Sequence, residues 1–309
     1  MSKHSSFLKL NTHGNYEHDY RSLADSITTL PTLRSNIIEL VQSVEDACET
    51  DLPLLVEKIR VDQSLVALVL KLARSSAYAQ KTSVDTVKEA ILLLGIEKVR
   101  DIALSARFLG NIVNRDPYQN GFNWKAFWLH ANAVGVIASI IAKYTGREDY
   151  ERYYTAGLLH DLGKMGAFCI DEENMLQVAN KARFHGLSFI EAECACLSTR
   201  HDLLGSSICK SWTLPEYLRQ VCRYHHTYNR DFRDVSTDDP MSDYVDVVIL
   251  ANYLAKKNKV GYSGHSVLEE PVDMILKNLS LSVKQLDELN PIILLELKNG
   301  SFLDELLCA

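Results

Sequence analysis

The pair His160-Asp161, in the apolar run Leu158–Gly163, places an imidazole beside a carboxylate where both side chains are expected to be buried. Burying a carboxylate is costly unless a cation or a hydrogen-bond donor compensates its charge. A divalent metal ion is one such cation, because imidazole nitrogen and carboxylate oxygen are both common metal ligands. The pair is therefore a candidate metal site.

Further histidines could join this pair on one ion: His130 upstream, and His201, His225 and His226 downstream. Because His130 falls on a separate predicted helix, the fold could bring it to the ion without a strained loop. Such ligands suit zinc, iron, manganese, cobalt or nickel, and the lack of a neighbouring thiolate disfavours a structural zinc knot. Water on such an ion becomes a better nucleophile, and a second ion can hold a phosphate oxygen.

Each of these residues also has an interpretation without metal. His160 and Asp161 could form a buried hydrogen-bonded pair, because buried polar groups need partners of some kind. His201 could begin a helix and face solvent. His225 and His226 would point about 100° apart on an ideal helix, so both need not reach one site.

The segments that would position these residues are helical along nearly the whole chain. Apolar residues recur at helical spacing after Pro31 and Pro53, and Asp62 and Asp85 are suitable N-caps for two further helices. In the second half, the pattern predicts helices over 124–144, 153–168, 172–185, 188–200, 202–212, 215–226 and 243–257. Strand-like alternation of useful length is absent from the sequence, so we expect an all-α fold.

Breaks in the helical periodicity divide the chain into predicted parts. The segment 111–123 contains Asp116-Pro117 and Gly121, and we interpret it as the connection between two helical lobes. The parts are an N-terminal arm (1–25), an N-terminal lobe (26–115), a second lobe (116–260) and a C-terminal helical extension (261–309). The arm lacks periodicity, so we expect it to be mobile or to lie along the surface.

The composition excludes several classes of protein. Of 309 residues, 47% are hydrophobic and 24% are charged, as in an ordinary globular protein. The net charge of -7 argues against broad electrostatic binding of nucleic acid or anionic membrane. The chain contains no uninterrupted apolar run long enough to span a membrane, and its seven cysteines form no Cys-x-x-Cys pair. We therefore expect a cytoplasmic protein with reduced thiols and no membrane insertion.

Two groups of residues resemble a known family. The segment Leu158–Lys164, preceded by His130, is similar to the defining motif of the HD metal-dependent phosphohydrolase superfamily. In the first half, Asp62–Leu65, Leu72–Tyr78 and Glu89–Gly95 resemble the HDOD family, a branch of that superfamily associated with bacterial signalling. The resemblance implies an all-helical fold with an HD-like C-terminal lobe and a regulatory role, often without enzymatic activity.

The resemblance also implies roles for single residues. His130, His160 and Asp161 match the metal ligands of the superfamily. Lys164 matches a lysine that lies near phosphate in active relatives, although a solvated charge at a helix end is the alternative for it. His201 and the pair that begins at His225 fall where the related HD-GYP phosphodiesterases hold additional ions.

The sequence departs from the resemblance at two points. The ligand that usually closes the superfamily site is an aspartate, and the matching residue here is Asn252, a neutral and weaker ligand. The Gly-Tyr-Pro segment expected after the paired histidines of HD-GYP enzymes is replaced by Thr227–Arg230 after His226. Both departures argue against hydrolysis of cyclic dinucleotides.

The sequence therefore favours a regulatory or interaction module of the HDOD type, with a degenerate metal pocket and no catalysis. Its expected partner is a signalling protein that acts in trans, a nucleotide is a possible ligand, and the divalent metal could be absent. The alternative is a metal-dependent phosphohydrolase or phosphodiesterase that acts on a nucleotide or cyclic nucleotide, in which a metal-bound hydroxide attacks phosphorus.

Overall fold

The computed structural model describes residues 8–10, 16–28, 30, 52–75, 78, 84–96, 98–99, 122–237, 239–268 and 272–299. Within these ranges the chain is helical apart from one antiparallel hairpin, in which Leu8–Leu10 (β1) pairs with Tyr16–His18 (β2). The expected all-α fold is confirmed for this part of the chain. The helix predicted after Pro31 and almost all of the predicted connection between lobes lie outside the described residues.

The α-helices of the described ranges follow one another with short connections. In chain order they are Tyr20–Ser26 (α1), Leu52–Arg60 (α2), Gln63–Ala73 (α3), Val87–Leu94 (α4), Trp124–Tyr144 (α5), Tyr150–Leu159 (α6), Leu162–Ile170 (α7), Glu172–His185 (α8), Phe189–Ala195 (α9), His201–Ser211 (α10), Glu216–Tyr224 (α11), Pro240–Lys257 (α12), Val272–Asn278 (α13) and Val283–Asn299 (α14).

The N-terminal arm contributes to the core through α1. Its Leu23 and Ala24 are fully buried, and the helix packs against α10 of the second lobe. Asp19 caps the helix by accepting a hydrogen bond from the backbone N–H of Ser22. Because this segment lacks helical periodicity, the sequence did not predict this short helix, which packs against the rest of the protein.

Capping residues fix the helix boundaries of the N-terminal lobe. Asp62 caps α3 as predicted, since its side chain accepts from the backbone N–H groups of two residues of the first turn. The prediction that Asp85 opens α4 is wrong by one residue, because Thr86 and Glu89 form a reciprocal capping box. That helix ends before Gly95, whose φ of 79° suits glycine.

Helix α5 lies at the centre of the second lobe and packs against α6, α12 and α14. Within the described residues it is the one helix with the length and hydropathy of a membrane span, and 72% of its apolar window is buried inside the protein. It crosses α6 with direct backbone contact, because a Cβ added at Gly157 would lie 2.7 Å from the carbonyl oxygen of Val134. This close crossing sets the helix that carries His130 against the helix that leads to His160.

The single helix predicted over 153–168 is wrong, because the chain breaks between α6 and α7. His160 ends α6 and Asp161 precedes the first residue of α7. Backbone contact also fixes the second helix, since a Cβ at Gly163 would overlap the carbonyl oxygen of His201 at the start of α10. The junction between α6 and α7 is thereby held against the N-terminus of α10.

Candidate metal centre

Asp161 occupies the N-cap position of α7, but its side chain makes no capping hydrogen bond. An aspartate at this position usually accepts from a backbone N–H of the first turn. Here Oδ2 accepts instead from Lys164 Nζ at 2.7 Å, and Oδ1 lies 3.5 Å and 3.4 Å from the Nε2 atoms of His201 and His225. The carboxylate is therefore directed into a cluster of side chains.

Two groups of potential metal ligands share this carboxylate. The first, which we call the three-histidine subsite, contains Asp161, His201, His225 and His226. The second, the two-histidine subsite, contains His130, His160 and Asp161. In each group the ligand atoms lie within 4.8 Å of one another. The structure thus brings together all the histidines that the sequence singled out as candidate ligands.

Backbone carbonyls determine which nitrogen carries the proton in two of these imidazoles. His160 Nδ1 lies 2.7 Å from the carbonyl oxygen of Gly157, and His225 Nδ1 lies 3.1 Å from the carbonyl oxygens of Val221 and Cys222. A carbonyl only accepts, so Nδ1 must donate in both rings. When these rings are neutral, each presents an unprotonated Nε2 to the cluster, as a metal ligand requires.

The sequence did not single out Glu193, which supports the third imidazole. It is fully buried, accepts from the backbone N–H of His201 at 3.1 Å, and has both Oε atoms within 3.0 Å of His201 Nδ1. Burial raises the pKa of Glu193 well above its usual value, so its negative form needs positive charge nearby. A cation on Nε2 would provide that charge, and the carboxylate would in turn strengthen His201 as a ligand.

A signal for Glu193 was present in the sequence. Helix α9 is short, and its buried residues Phe189, Ala192 and Glu193 lie on one face. A carboxylate on the apolar side of such a helix indicates a buried partner. Glu191, two residues before Glu193, forms a capping box with Ser188 at the start of the same helix. Because the two glutamates are so close in sequence, both resembled ordinary acidic residues on a protein surface.

Four of the six distances between ligand atoms of the three-histidine subsite are close to those around one tetrahedral ion. Four ligands at about 2.1 Å from an ion lie about 3.4 Å from one another. The Nε2 atoms of His201 and His225 lie 3.4 Å apart, those of His201 and His226 lie 3.1 Å apart, and Asp161 Oδ1 lies 3.4–3.5 Å from the first two. A hydrogen bond between His201 and His226 is an alternative explanation of the shortest distance.

The ends of the helices make this convergence possible. Helix α11 stops at Tyr224, so His225 and His226 lie in the following turn, and their side chains are not bound to the 100° separation of a helix. His201 is 1% exposed, which contradicts a solvent-facing position. The neighbouring Asp202 takes no part, because it pairs with Arg200 and Arg223.

The two-histidine subsite contains a lysine. Lys164 is 1% exposed and donates to Asp161 Oδ2 and, at 2.9 Å, to the carbonyl oxygen of Ser263, so its interpretation as a solvated charge is wrong. His130 Nε2 is buried without a hydrogen-bond partner, and His160 Nε2 lies 3.3 Å from Asp161 Oδ2. Burial lowers the pKa of both imidazoles, which favours their neutral forms.

Asp161 is the anion of the centre. Burial alone would raise the pKa of its carboxyl group, but His160 and Lys164 outweigh that effect and hold the pKa well below its usual range. The carboxylate is therefore ionised and shared by the two subsites. This sharing makes the charge around Asp161 decisive for what each subsite can bind.

Asn252 lies on α12, is 7% exposed, and has a carboxamide oxygen without a hydrogen-bond partner. Lys256, one turn further on, shares its face of the helix, and the charge of Lys256 lowers the pKa of His130. That Asn252 replaces the closing carboxylate stays a prediction.

Comparisons with known proteins give a family and several structural relatives. A family model described as HDOD domain matches residues 30–228. A protein of Treponema pallidum (strain Nichols), described as uncharacterized, is 24% identical over 206 residues. This match covers 66% of the chain and 39% of the relative, so the chain spans about two fifths of the length of that curated protein.

Two solved structures share the fold at low sequence identity. The MmoQ response regulator of Methylococcus capsulatus superposes with a TM-score of 0.64 at 20% identity, covering 86% of this chain and 99% of that one. A virulence factor of Campylobacter jejuni gives a TM-score of 0.57 at 17% identity, covering 85% of this chain and 98% of that one. These similarities concern the fold.

Proposed function

The chain belongs to the HDOD domain family, and from that premise we propose that it is a regulatory module of bacterial signal transduction whose metal pocket is structural, not catalytic. The description of one structural neighbour as a response regulator supports the signalling role. The expected partner is another signalling protein acting in trans in the cytoplasm.

The observation that carries the non-catalytic role is the closed ligand set of the three-histidine subsite. Structural zinc-type sites use four protein ligands, whereas catalytic ones keep a position open for water or substrate. Here Asp161, His201, His225 and His226 supply four ligand atoms within 4.8 Å of one another, and four of the six distances between them lie between 3.1 and 3.5 Å. An ion held by all four has no free position for a nucleophile in that geometry.

Such an ion would join three separate parts of the chain. Asp161 lies between α6 and α7, His201 begins α10, and His225 and His226 follow α11. When bound, the ion supplies positive charge that compensates the buried carboxylates of Asp161 and Glu193. Binding therefore stabilises the packing of these helices, and we propose that the resulting surface is what the signalling partner recognises.

Access and charge also disfavour hydrolysis. His130, His160 and Asp161 are each 1% exposed, so phosphate has no open route to them in this conformation. The ammonium of Lys164 already donates to Asp161 and to a backbone carbonyl, which leaves one of its three donors for a phosphate. Asn252 adds no negative charge for a second ion.

The alternative function is a metal-dependent phosphohydrolase. The buried Nε2 atoms of His130 and His160 favour it, because together with Asp161 they could hold an ion with open positions. The partial exposure of His226 offers a direction from which a nucleotide could approach.

Metal analysis and an activity screen distinguish the two functions. The full chain, purified without chelator, should contain a divalent metal and should not hydrolyse nucleotides, cyclic dinucleotides or bis(p-nitrophenyl) phosphate. His160→Ala tests the pocket, and His185→Ala, an exposed histidine at the end of α8, is the matched control. Metal-dependent turnover that is lost in His160→Ala but kept in His185→Ala would establish the enzyme instead.

A further inference from the structure

We propose that this chain holds a single divalent ion, in the three-histidine subsite, because the ammonium of Lys164 fills the cation position of the two-histidine subsite. The inference rests on the proposed structural metal and adds the number and place of the ions. It reverses the simplest expectation from the motif, in which His130, His160 and Asp161 hold the first ion.

Lys164 lies in surroundings built for a cation. Its Nζ is 2.7 Å from Asp161 Oδ2, 2.9 Å from the carbonyl oxygen of Ser263 and 4.6 Å from the ring centroid of Phe189. A carboxylate, a carbonyl oxygen and an aromatic face all attract positive charge. The residue is 1% exposed, so solvent does not compete for these contacts.

A metal ion in the two-histidine subsite would lie too close to this ammonium. An ion bonded at about 2.1 Å to Asp161 Oδ2 would be less than about 5 Å from Lys164 Nζ, which is itself 2.7 Å from the same oxygen. Repulsion between the two cations is strong at this depth, because solvent screens it poorly. The other ligands, His130 and His160, are imidazoles and supply no negative charge.

The charge of Lys164 also lowers the pKa of His201, but the three-histidine subsite has more negative charge to offset it. It uses Asp161 Oδ1, whereas the lysine is bound to Oδ2, and Glu193 adds a second carboxylate behind His201. Two carboxylates therefore favour a dication there. Asp161 therefore binds the ammonium of Lys164 through Oδ2 and would bind the metal ion through Oδ1.

The lysine is also held in place by the loop after α12. Within this loop, Tyr262 donates its backbone N–H to the carbonyl oxygen of Ala126 at 2.8 Å. Gly261 lies so close to α5 that an added Cβ would overlap the backbone nitrogen of His130. The carbonyl of Ser263 therefore has a fixed position, and Lys164 cannot leave without losing it.

Titration of the metal-stripped full chain with Co²⁺ tests the number of ions, because cobalt reports its coordination geometry by visible absorption. The wild type should bind one Co²⁺ per chain with a tetrahedral spectrum. Lys164→Met keeps the length of the side chain without its charge, and should bind two. Lys143→Met, at an exposed lysine of α5, is the control and should bind one.

A second pair of variants locates the ion even if Lys164→Met does not fold. His226→Ala should weaken Co²⁺ binding at least tenfold and change the spectrum, whereas His130→Ala should leave both unchanged. Two ions in the wild type, one ion in a folded Lys164→Met, or loss of binding in His130→Ala would each overturn this inference alone. No ion in the wild type would overturn the proposed structural metal, and this inference with it.

Discussion

Replacing Glu193 by glutamine should weaken metal binding while leaving the fold intact. The carboxylate accepts from the backbone N–H of His201 and from its Nδ1. Glutamine fits the same space and retains one acceptor oxygen, so the main loss is the charge-assisted bond to Nδ1, worth about 1.5–3 kcal/mol. This corresponds to roughly 10- to 150-fold weaker binding, in line with the loss of about 10–100-fold expected for a residue that supports a ligand.

The measurement is calorimetric titration of Zn²⁺ into metal-stripped protein, beside urea unfolding of the metal-free form. The unfolding free energy of metal-free Glu193→Gln should stay within about 1 kcal/mol of the wild type, because removal of a buried charge offsets the weaker hydrogen bond. Glu173→Gln, at an exposed position of α8, is the matched control. Zinc affinity within threefold of the wild type would refute the supporting role of Glu193.

Three further outcomes are expected. In the Lys164→Met background, where the two-histidine subsite is expected to bind an ion, Asn252→Asp should tighten binding of manganese or zinc in calorimetric titration, because it adds an anionic oxygen, and equal affinities would mean that this residue does not face that subsite. Chelation with EDTA should lower the midpoint of thermal unfolding of the wild type, and added Zn²⁺ should restore it. An ion present at 100 times its Kd contributes about 2.7 kcal/mol to the stability of the folded state. An unchanged midpoint in EDTA would contradict a structural ion. Gly163→Ala should lose about 3 kcal/mol or more in urea unfolding because its Cβ meets backbone, whereas Gly166→Ala should lose less because its Cβ meets the side-chain ends of Ile208 and Ile27; similar losses would argue against the backbone contact.

Much of the architecture could be predicted from local pattern. The bounds of α5 and α8 were correct because an uninterrupted apolar face and clear ends coincide there, with Asn123 and Asp171 as caps. The break at His160-Asp161 was missed because both residues continue the helical spacing of buried positions. Periodicity reports burial, and a break inside a buried segment leaves the pattern of burial unchanged.

The residues that form the site were easier to predict than the positions of their atoms relative to one another. Residue type and motif identified the histidines and Asp161, because few other roles require them together inside a protein. Which atoms face each other depends on helix ends and on long-range neighbours such as Glu193 and Ser263. The role of Lys164 as an internal cation could not be read from the sequence, because its partner Ser263 is distant in the chain.

The glycine contact between α7 and α10 bears on how such a domain could change over generations. At Gly163 any side chain would overlap the backbone of His201, and Gly205 faces the same crossing. Substitution of a metal ligand removes an ion, but substitution of Gly163 forces two helices apart. A descendant that lost its metal could therefore still fold, provided that Gly163 remained. We therefore expect glycine to be retained at the helix crossing for longer than histidine is retained in the pocket. Relatives that keep the glycine without the histidines would be those that retained the fold after losing the metal site.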